Sequence, residues 1–193
     1  IVATAREAQC NFIVIGQPDR QSWFERLVST VVERVLQDAP CQVAIVYGQF
    51  PRGGVSGVVL PTTQGANTGL AAGLVPAFSE WFQAPARAMI VTHPDAPASS
   101  DGVAEARATL AEAGFAGELE VLVHRDITDG LAHALHAREM VVMGAPSDAP
   151  VATLFGETVP AALAQRGRHP VVVVRDVEQR KARRFERIFF RKG

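Results

Sequence analysis

Continuous apolar runs alternate along the chain with segments in which apolar residues recur every three or four positions. Five such runs fall between residues 55 and 175 and predict strands: "GVVLP", "ARAMIVTH", "ELEVLVH", "MVVMG" and "VVVV". Unbroken β-branched runs are typical of strands that are buried on both faces. Because strands and helices alternate regularly, the pattern predicts an α/β fold with a doubly wound, five-stranded parallel sheet.

The segments between these strands predict helices. "TGLAAGLVPAFSEWFQA" is one candidate, with Pro76 disturbing its middle. "SDGVAEARATLAEAG" is a second, capped by Ser100 or Asp101 and stopped at Gly114. A third helix is predicted from about residue 127 to Arg138.

Part of this pattern occurs twice. The segment from Phe12 to Val46 aligns without a gap with the segment from Met140 to Val174, so that Gly16 falls on Gly144, 128 positions later. Each copy is predicted to form a strand, a loop, a helix and a second strand, in that order. The second copy has a front half of further strands and helices, whereas the first copy begins inside a helix.

These observations predict four parts of the chain. The segment "GQFPRGG" breaks both periodicities and marks the boundary between the copies. The predicted parts are a partial repeat over residues 1–47, a linker over 48–54, a complete domain over 55–175 and a tail over 176–193. The first residue is Ile, which suggests that the sequence begins partway into a longer chain.

The end of each copy resembles the universal stress protein family, whose members end with a strand, a Gly-x-x-Gly loop, a spacer, Gly-Ser or Gly-Thr, a helix and "APCPV" before the last strand. "VERVLQDAPCQVAIV" matches this ending closely, and "LFGETVPAALAQRGRHPVVVVR" matches it more loosely. The resemblance covers nearly the whole chain. It implies an adenine-nucleotide alpha hydrolase-like fold, with one complete copy and the C-terminal half of a second.

The resemblance also implies how the copies assemble. In this family the last strands of two domains commonly pair antiparallel across a dimer. We therefore expect "VAIV" and "VVVV" to meet across a pseudo-twofold axis, which makes the two copies a pseudo-dimer within one chain. A homodimer of the chain is a further expectation.

Family members that bind ATP place the triphosphate on the glycine loop and on the start of the following helix. Free N–H groups at a helix N-terminus favour an anion there, and glycine lets the backbone approach closely. The resemblance implies a degenerate nucleotide site for ATP or AMP at Thr62, Thr63, Val91, Gly144, Ser147, Gly156, Glu157 and Thr158. The equivalent positions in the partial repeat are Gly16, Asp19, Ser29 and Thr30.

This chain departs from the family pattern at several of these positions. Thr63 stands where the family has an aspartate that contacts the ribose, Ser147 replaces the second glycine, and Glu157 replaces the third beside Gly156. A carboxylate that faces a triphosphate repels it by about 1 kcal/mol or more at partly screened surface dielectrics. We therefore favour a loop that only connects strand to helix over a working nucleotide site.

The tail is the most strongly charged part of the chain. Its sequence "EQRKARRFERIFFRKG" carries seven basic residues from Arg180 to Lys192 and places Phe185, Ile188 and Phe189 on one helical face. Such a segment can lie on an anionic membrane surface, or it can dock on its own protein. Placed directly after a universal stress-like ending, the tail also resembles the cytosolic extensions of bacterial and archaeal transporters. Amino-acid permeases of the amino acid–polyamine–organocation superfamily are the closest such group, and some chloride channels and sodium/proton antiporters carry similar pairs of domains.

Composition, net charge and the absence of known catalytic motifs argue against several classes of function. Apolar residues make up 48% of the chain and charged residues 20%, as in ordinary globular domains, and no stretch has the length of a membrane span or the order of a signal peptide. The net charge of -1 predicts no general attraction to nucleic acid. No nucleophile elbow or Walker lysine is present, so no catalytic residue is predicted, although weak ATPase activity stays open.

The two cysteines and the paired carboxylates do not indicate a catalytic site. Cys10 and Cys41 are predicted to be buried thiols in a reducing compartment. Glu118 and Glu120 alternate with apolar residues and are predicted to lie at an exposed strand start.

Histidines are the remaining candidate ligands. His133, His136 and Glu139 have the spacing of one helical face, but we favour surface histidines over a zinc site. His93 and His124 each follow a strand, at the edge where α/β sheets bind ligands. A ligand contact is possible there, and solvated loop histidines are favoured.

Three hypotheses for function follow. The leading one is a non-catalytic regulatory module in the cytoplasm, tethered at the inner face of the cell membrane as part of an amino-acid permease-like transporter. The second is a stand-alone tandem universal stress protein that binds ATP or AMP. The third is a structural dimerisation module without a ligand.

Overall fold

The computed structural model describes residues 1–16, 24–62, 67–95, 100–145, 159–166 and 169–176, with the backbone alone described for 24–30, 100 and 166. The helices of this part are α1 (Val2–Glu7), α2 (Phe24–Asp38), α3 (Thr68–Phe82), α4 (Ser100–Glu112), α5 (Ile127–Ala134) and α6 (Val159–Arg166). Its strands are β1 (Phe12–Gly16), β2 (Gln42–Tyr47), β3 (Gly57–Pro61), β4 (Ala86–Thr92), β5 (Glu118–Val123), β6 (Glu139–Gly144) and β7 (Val171–Arg175).

All seven strands belong to one sheet with the order β1-β2-β7-β6-β3-β4-β5. Every neighbouring pair is parallel except β2 and β7. Strands β3 to β7 form the predicted doubly wound parallel arrangement, so the α/β fold class is confirmed. Strands β1 and β2 extend the same sheet to seven strands.

The two units that the sequence aligns have the same strand register. Ile13 pairs with Val43 in the parallel pair β1–β2, and Val141 pairs with Val171 in β6–β7. Strands β2 and β7 contain "VAIV" and "VVVV", and they pair antiparallel, as the resemblance to the universal stress proteins implies. The middle pair of this junction is Ile45 with Val173. A local twofold axis at the Ile45–Val173 pair therefore relates the strand pair β1–β2 to the strand pair β6–β7.

Two apolar cores lie on opposite faces of the sheet. Along β6, Val141 and Met143 belong to one core, while Met140 and Val142 belong to the other, as the two-residue period of a strand requires. The first core includes side chains from α1, α2, α5 and α6, and the second includes side chains from α3 and α4. Each large side chain that is fully buried contributes about 1.5–3 kcal/mol.

Helix α3 continues through Pro76 to Phe82, so the disturbance predicted at this proline does not end the helix. Pro76 lies in the exposed part of the helix surface. Helix α4 stops before Gly114, which has the left-handed φ of 71° that favours glycine, as the sequence indicates.

The predicted extension of α5 to Arg138 is wrong, because the helix ends at Ala134. Leu135 is already extended, with φ -76° and ψ 132°. Arg138 then turns the chain with a φ of 67° into β6. The carbonyl of Ala134 accepts a hydrogen bond of 2.9 Å from Arg87, which satisfies the freed helix end.

The prediction of two buried thiols is also wrong. Cys10 is exposed and Cys41 is half-buried. Each cysteine lies in the turn just before its strand, where the sheet does not yet cover it. Burial raises the pKa of Cys41, and the nearby thiolate of Cys10 raises it further.

Tyr47 gives a spectroscopic test of the β2–β7 junction, since it is the single tyrosine of the chain. It pairs with Val171, and burial raises its pKa to about 12. We expect absorbance near 295 nm to show ionisation around pH 12 in the folded protein and around pH 10 in denaturant. Because the folded-state pKa is raised, this group stabilises the fold fully below pH 10, and the contribution is lost between about pH 10 and 12. A normal titration of the folded protein would contradict the buried junction.

Candidate functional site

The carboxyl ends of strands β3 to β7 lie at one edge of the sheet, because these strands are parallel. This is the edge at which open α/β sheets bind ligands. The structure brings three of the predicted site residues there: Thr62 after β3, Val91 near the end of β4 and Gly144 at the end of β6. The other predicted residues of the complete domain, Thr63, Ser147, Gly156, Glu157 and Thr158, lie outside the described residues.

Thr62 and Val91 are engaged within the protein. Thr62 is 6% exposed, and its hydroxyl lies 3.1 Å from the carbonyl oxygen of Met89, to which it donates. Val91 is half-buried against the core beneath α5, where a Cβ added at Gly130 would lie 3.2 Å from its Cγ1 atom. Both side chains thus have contacts within the protein, and their role in nucleotide binding stays a prediction.

Gly144 is explained by packing between β6 and α3. A Cβ atom at this position would lie 2.5 Å from the carbonyl carbon of Asn67, 2.6 Å from its oxygen and 2.8 Å from the Thr68 nitrogen. Real Cβ atoms do not approach backbone atoms so closely. The glycine therefore lets the start of α3 pack directly on the end of β6, whether or not a phosphate binds nearby.

Asn67 is a residue of this edge that the sequence interpretation missed. It is 3% exposed, and its side-chain amide donates to the carbonyl of Ala145 at 2.8 Å. The amide oxygen accepts the backbone N–H of Asp176 at 2.9 Å. One side chain thus joins the start of α3 to the ends of β6 and β7. An Asn before an apolar helix is an N-cap signal, but this side chain makes no cap hydrogen bond.

The equivalent positions of the partial repeat lie elsewhere. Gly16 ends β1, and because β2 runs antiparallel to β7, it lies at the opposite edge of the sheet from Gly144. A Cβ added at Gly16 would have no atom within 4 Å. Ser29 and Thr30 lie in α2, where the backbone alone is described, and Asp19 lies outside the described residues.

The histidines do not form the predicted helical face. His136 and Glu139 lie beyond the end of α5, so their grouping with His133 on one helix is wrong. The ring of His133 stacks on that of His124 instead, with 5.9 Å between the ring centroids. Among the described residues, no group of three or more His, Cys, Asp or Glu could hold a metal ion.

His93 and His124 are both placed at the carboxyl edge, and each bonds to the nearby loop. The Nδ1 atom of His93 accepts the backbone N–H of Asp95 at 3.2 Å. The Nδ1 atom of His124 lies 2.7 Å from the carbonyl oxygen of Asp126. These local bonds fit the favoured interpretation of loop histidines.

A cluster of charged side chains lies at the opposite edge of the sheet, where strands β3 to β7 begin; we call this the amino edge. Arg87 at the start of β4 binds Glu139 at the start of β6 through two nitrogens, at 3.2 and 2.8 Å. A third nitrogen of Arg87 donates to Glu120 on β5 at 2.6 Å. Glu120 is thus half-buried in an ion pair, which corrects its prediction as an exposed residue, while Glu118 is exposed as predicted.

Glu139 is the buried member of this cluster, with 8% of its side chain exposed. Burial alone would raise the pKa of its carboxyl group. The hydrogen bond and charge of Arg87, the backbone N–H of His136 and the charge of that histidine outweigh burial, so the pKa of Glu139 lies below its ordinary value. The carboxylate is charged at neutral pH and fully engaged by protein groups.

No protein-family model matches the chain, and no curated protein matches it. Solved structures match it in fold. A universal stress protein from Archaeoglobus fulgidus DSM 4304 is 17% identical with a TM-score of 0.57, covering 89% of this chain and 63% of that one. The cytoplasmic domain of a prokaryotic cation chloride cotransporter is 10% identical with a TM-score of 0.60, covering 91% and 69%. A universal stress protein in complex with cAMP is 19% identical with a TM-score of 0.49, covering 63% and 97%.

At these identities the likeness shows the fold, which is the adenine-nucleotide alpha hydrolase-like fold of the universal stress proteins. The chain spans 63% of the length of the Archaeoglobus protein and 69% of the cotransporter domain. Within the described part, none of the helices has the length and apolar character needed to cross a membrane.

Proposed function

We propose that this chain is a non-catalytic regulatory module of the universal stress protein type, made of one complete domain and the back half of a second. The observation that carries the proposal is the β2–β7 junction. It joins two units of identical register, Ile13–Val43 and Val141–Val171, into one sheet about the pair Ile45–Val173. Residues 1–47 and 55–175 are then an internal pseudo-dimer, linked by residues 48–54.

Such a pseudo-dimer suits regulation, because a partner or ligand that prefers one arrangement of the two units shifts the population towards it. We place the module in the cytoplasm, as part of an amino-acid permease-like transporter. The architecture of the cotransporter's cytoplasmic domain, matched over 91% of this chain, supports this context at the level of fold. The basic tail from Arg180 to Lys192, outside the described residues, would hold the module at an anionic membrane surface.

The carboxyl edge supports at most weak binding of ATP or AMP. The Thr62 hydroxyl donates to the protein backbone, and the contact between Gly144 and Asn67 accounts for the glycine without a ligand. By the family pattern, Thr63 lacks the carboxylate expected to contact the ribose, and Glu157 places a negative charge at a position expected to face the phosphates. We therefore propose that regulation acts mainly through protein contacts and that the site is not catalytic.

Thermal unfolding with nucleotide tests this proposal. With 5 mM ATP or AMP, we expect the melting temperature of the chain to change by less than about 1 °C. A site with a Kd near 50 μM would be stabilised by about 2.7 kcal/mol at this concentration, which raises the melting temperature by roughly 5–10 °C. Tripolyphosphate at equal ionic strength is the control for unspecific anion binding. A nucleotide-specific rise of several degrees would favour the stand-alone nucleotide-binding protein instead.

The transporter context has a separate test. We expect the reading frame that encodes this chain also to encode hydrophobic spans of about 20 residues upstream. A frame without such spans would contradict the transporter context and leave the pseudo-dimer as a stand-alone or structural module.

A further inference from the structure

Cys10 and Cys41 are the two cysteines of the chain, and the fold brings them to neighbouring turns. Cys10 lies between α1 and β1, and Cys41 lies between α2 and β2. Strands β1 and β2 are parallel, with Phe12 opposite Gln42. Cys10 is two residues before Phe12, and Cys41 is one residue before Gln42. Strand spacing and rise therefore place the two Cα atoms about 6 Å apart, within the range that a disulfide bond spans.

Contacts on both sides hold the two turns beside each other. Ala5 in α1 and Ala39 after α2 are each 5% exposed and belong to the same core. Arg6 donates a hydrogen bond of 3.1 Å to the carbonyl of Asp38, which joins α1 to the end of α2. The backbone N–H of Cys10 donates to the carbonyl of Ala5 at 2.9 Å. Cys10 is therefore held next to the turn that carries the second cysteine.

The two thiols differ in exposure. Cys10 is exposed, whereas Cys41 is half-buried and packs against the core. The chain bends at Asn11 and at Cys41, so the alternation of side chains along a strand does not force the thiols to opposite faces. Burial raises the pKa of Cys41, and the charge of Cys10 raises it further, an effect that a like charge has only at short range.

The exposure of Cys10 is a property of its turn. In the alignment of the two units, Cys10 falls on Arg138. Arg138 is also exposed, although β3 lies beside β6 and the backbone N–H of Ser56 donates to the Arg138 carbonyl at 3.0 Å. A neighbouring strand thus leaves this position open to solvent. Cys41 falls on His169, so the complete domain folds with an arginine and a histidine at these positions, and packing alone does not require cysteine at either.

We propose that Cys10 and Cys41 are a redox-active pair that forms an intramolecular disulfide bond by exchange with a small-molecule disulfide such as oxidised glutathione. The Cys10 thiolate attacks one sulfur of the small disulfide, which gives a mixed disulfide and releases one small thiol. The Cys41 thiolate then attacks the Cys10 sulfur, and the second small thiol leaves. Two cysteine thiols are oxidised, one small disulfide is reduced, and the two cysteine protons end on the two released thiols.

The pair responds to the redox state of its compartment. A reducing cytoplasm keeps both thiols free, and an excess of oxidised small thiols closes the bond. The bond cross-links the turns before β1 and β2 and closes a loop that contains α2. Because it restricts the unfolded chain, we expect it to raise the melting temperature by roughly 5–10 °C. This inference is independent of the nucleotide and transporter proposals.

Mass spectrometry of the folded full chain after incubation with about 1 mM oxidised glutathione tests the pair. Wild type is expected to stay monomeric and to lose the mass of two hydrogen atoms without gaining glutathione. Cys41→Ser is expected to keep one glutathione on Cys10, because the second thiol is missing. Cys10→Ser is the matched single-thiol variant and should react at least tenfold more slowly, since Cys41 is half-buried. Circular dichroism checks that both variants keep the fold.

The denatured chain is the control for the role of the fold. In denaturant the cysteines at positions 10 and 41 are 31 positions apart on a flexible chain. The ratio of intramolecular disulfide to glutathione adducts should therefore fall at least tenfold. Three outcomes would overturn the proposal: folded wild type that keeps free thiols or carries glutathione on both cysteines, a disulfide found only between two chains, and a ratio that denaturant does not change.

Discussion

Replacing Gly144 by alanine is expected to lower the free energy of unfolding by about 3 kcal/mol, whereas the same change at Gly16 is expected to cost less than about 0.5 kcal/mol. At Gly144 the new methyl group meets backbone atoms of Asn67 and Thr68 at 2.5–2.8 Å, and a backbone cannot move aside as a flexible side chain can. At Gly16 it meets nothing within 4 Å. The two glycines occupy equivalent positions of the aligned units, so they form a matched pair.

Chemical denaturation of both variants measures this difference, and for a chain of this length the Gly144→Ala loss corresponds to a melting temperature roughly 6–12 °C lower. Nucleotide should not alter the difference, because the contact lies between α3 and β6. Equal losses at the two positions would mean that Gly16 also faces a packed neighbour. No loss at Gly144 would mean that α3 can shift away from β6, and the packing explanation of the glycine would fail.

Gly16 and Gly144 also show which features of the structure the sequence predicts and which it does not. The β-branched runs and the gapless alignment of residues 12–46 with 140–174 predict the strands and the α/β class, because burial on both faces leaves a clear pattern in the residues. The antiparallel β2–β7 junction is expected only from the resemblance to the universal stress proteins. The alignment also predicts that Gly16 and Gly144 are equivalent. It does not predict that one glycine is sterically required and the other is not.

The missed contacts have a common physical cause, which is that they join residues far apart in the sequence. The amide of Asn67 reaches Asp176, 109 positions away, and Arg87 reaches Glu139, 52 positions away. The end of α5 also involves a distant residue, since Arg87 on β4 donates a hydrogen bond to the carbonyl of Ala134. Local propensity and periodicity do not report such contacts, so the candidate site was predicted as a spacing of residues and not as a geometry.

The two edges of the sheet are held by different means. At the carboxyl edge, neutral groups such as Asn67 and Thr62 bond to backbone atoms. At the amino edge, one guanidinium joins β4 to β5 and β6 and to the end of α5. A buried carboxylate at the amino edge depends on that guanidinium for its charge balance. The amino edge should therefore be the more sensitive of the two to the loss of one side chain.

Replacing Arg87 by alanine is accordingly expected to lower the free energy of unfolding by about 3 kcal/mol at pH 7, because Glu139 would keep its charge without its main partner. The estimate lies at the low end for a buried pair, since 23% of the Arg87 side chain and 44% of the Glu120 side chain are exposed. Arg87→Lys should restore only part of the lost stability, because an ammonium group cannot make the bidentate contact of the guanidinium with the carboxylate. Arg107→Ala, on the exposed surface of α4, is the control and should change stability by less than about 0.5 kcal/mol.

The pH dependence of this loss separates an ion pair from simple packing. In wild type the pKa of Glu139 is lowered, so its contribution to stability is present above the ordinary glutamate pKa and is lost as the pH falls through the lowered value. In Arg87→Ala, Glu139 loses the guanidinium that lowers its pKa, so its pKa rises above the wild-type value and the carboxyl group takes up a proton at a higher pH. The difference between wild type and variant should therefore shrink between pH 7 and about pH 4. A difference that stays constant over this range would mean that Arg87 stabilises the edge through its packing and its bond to Ala134, with little contribution from the charge of Glu139.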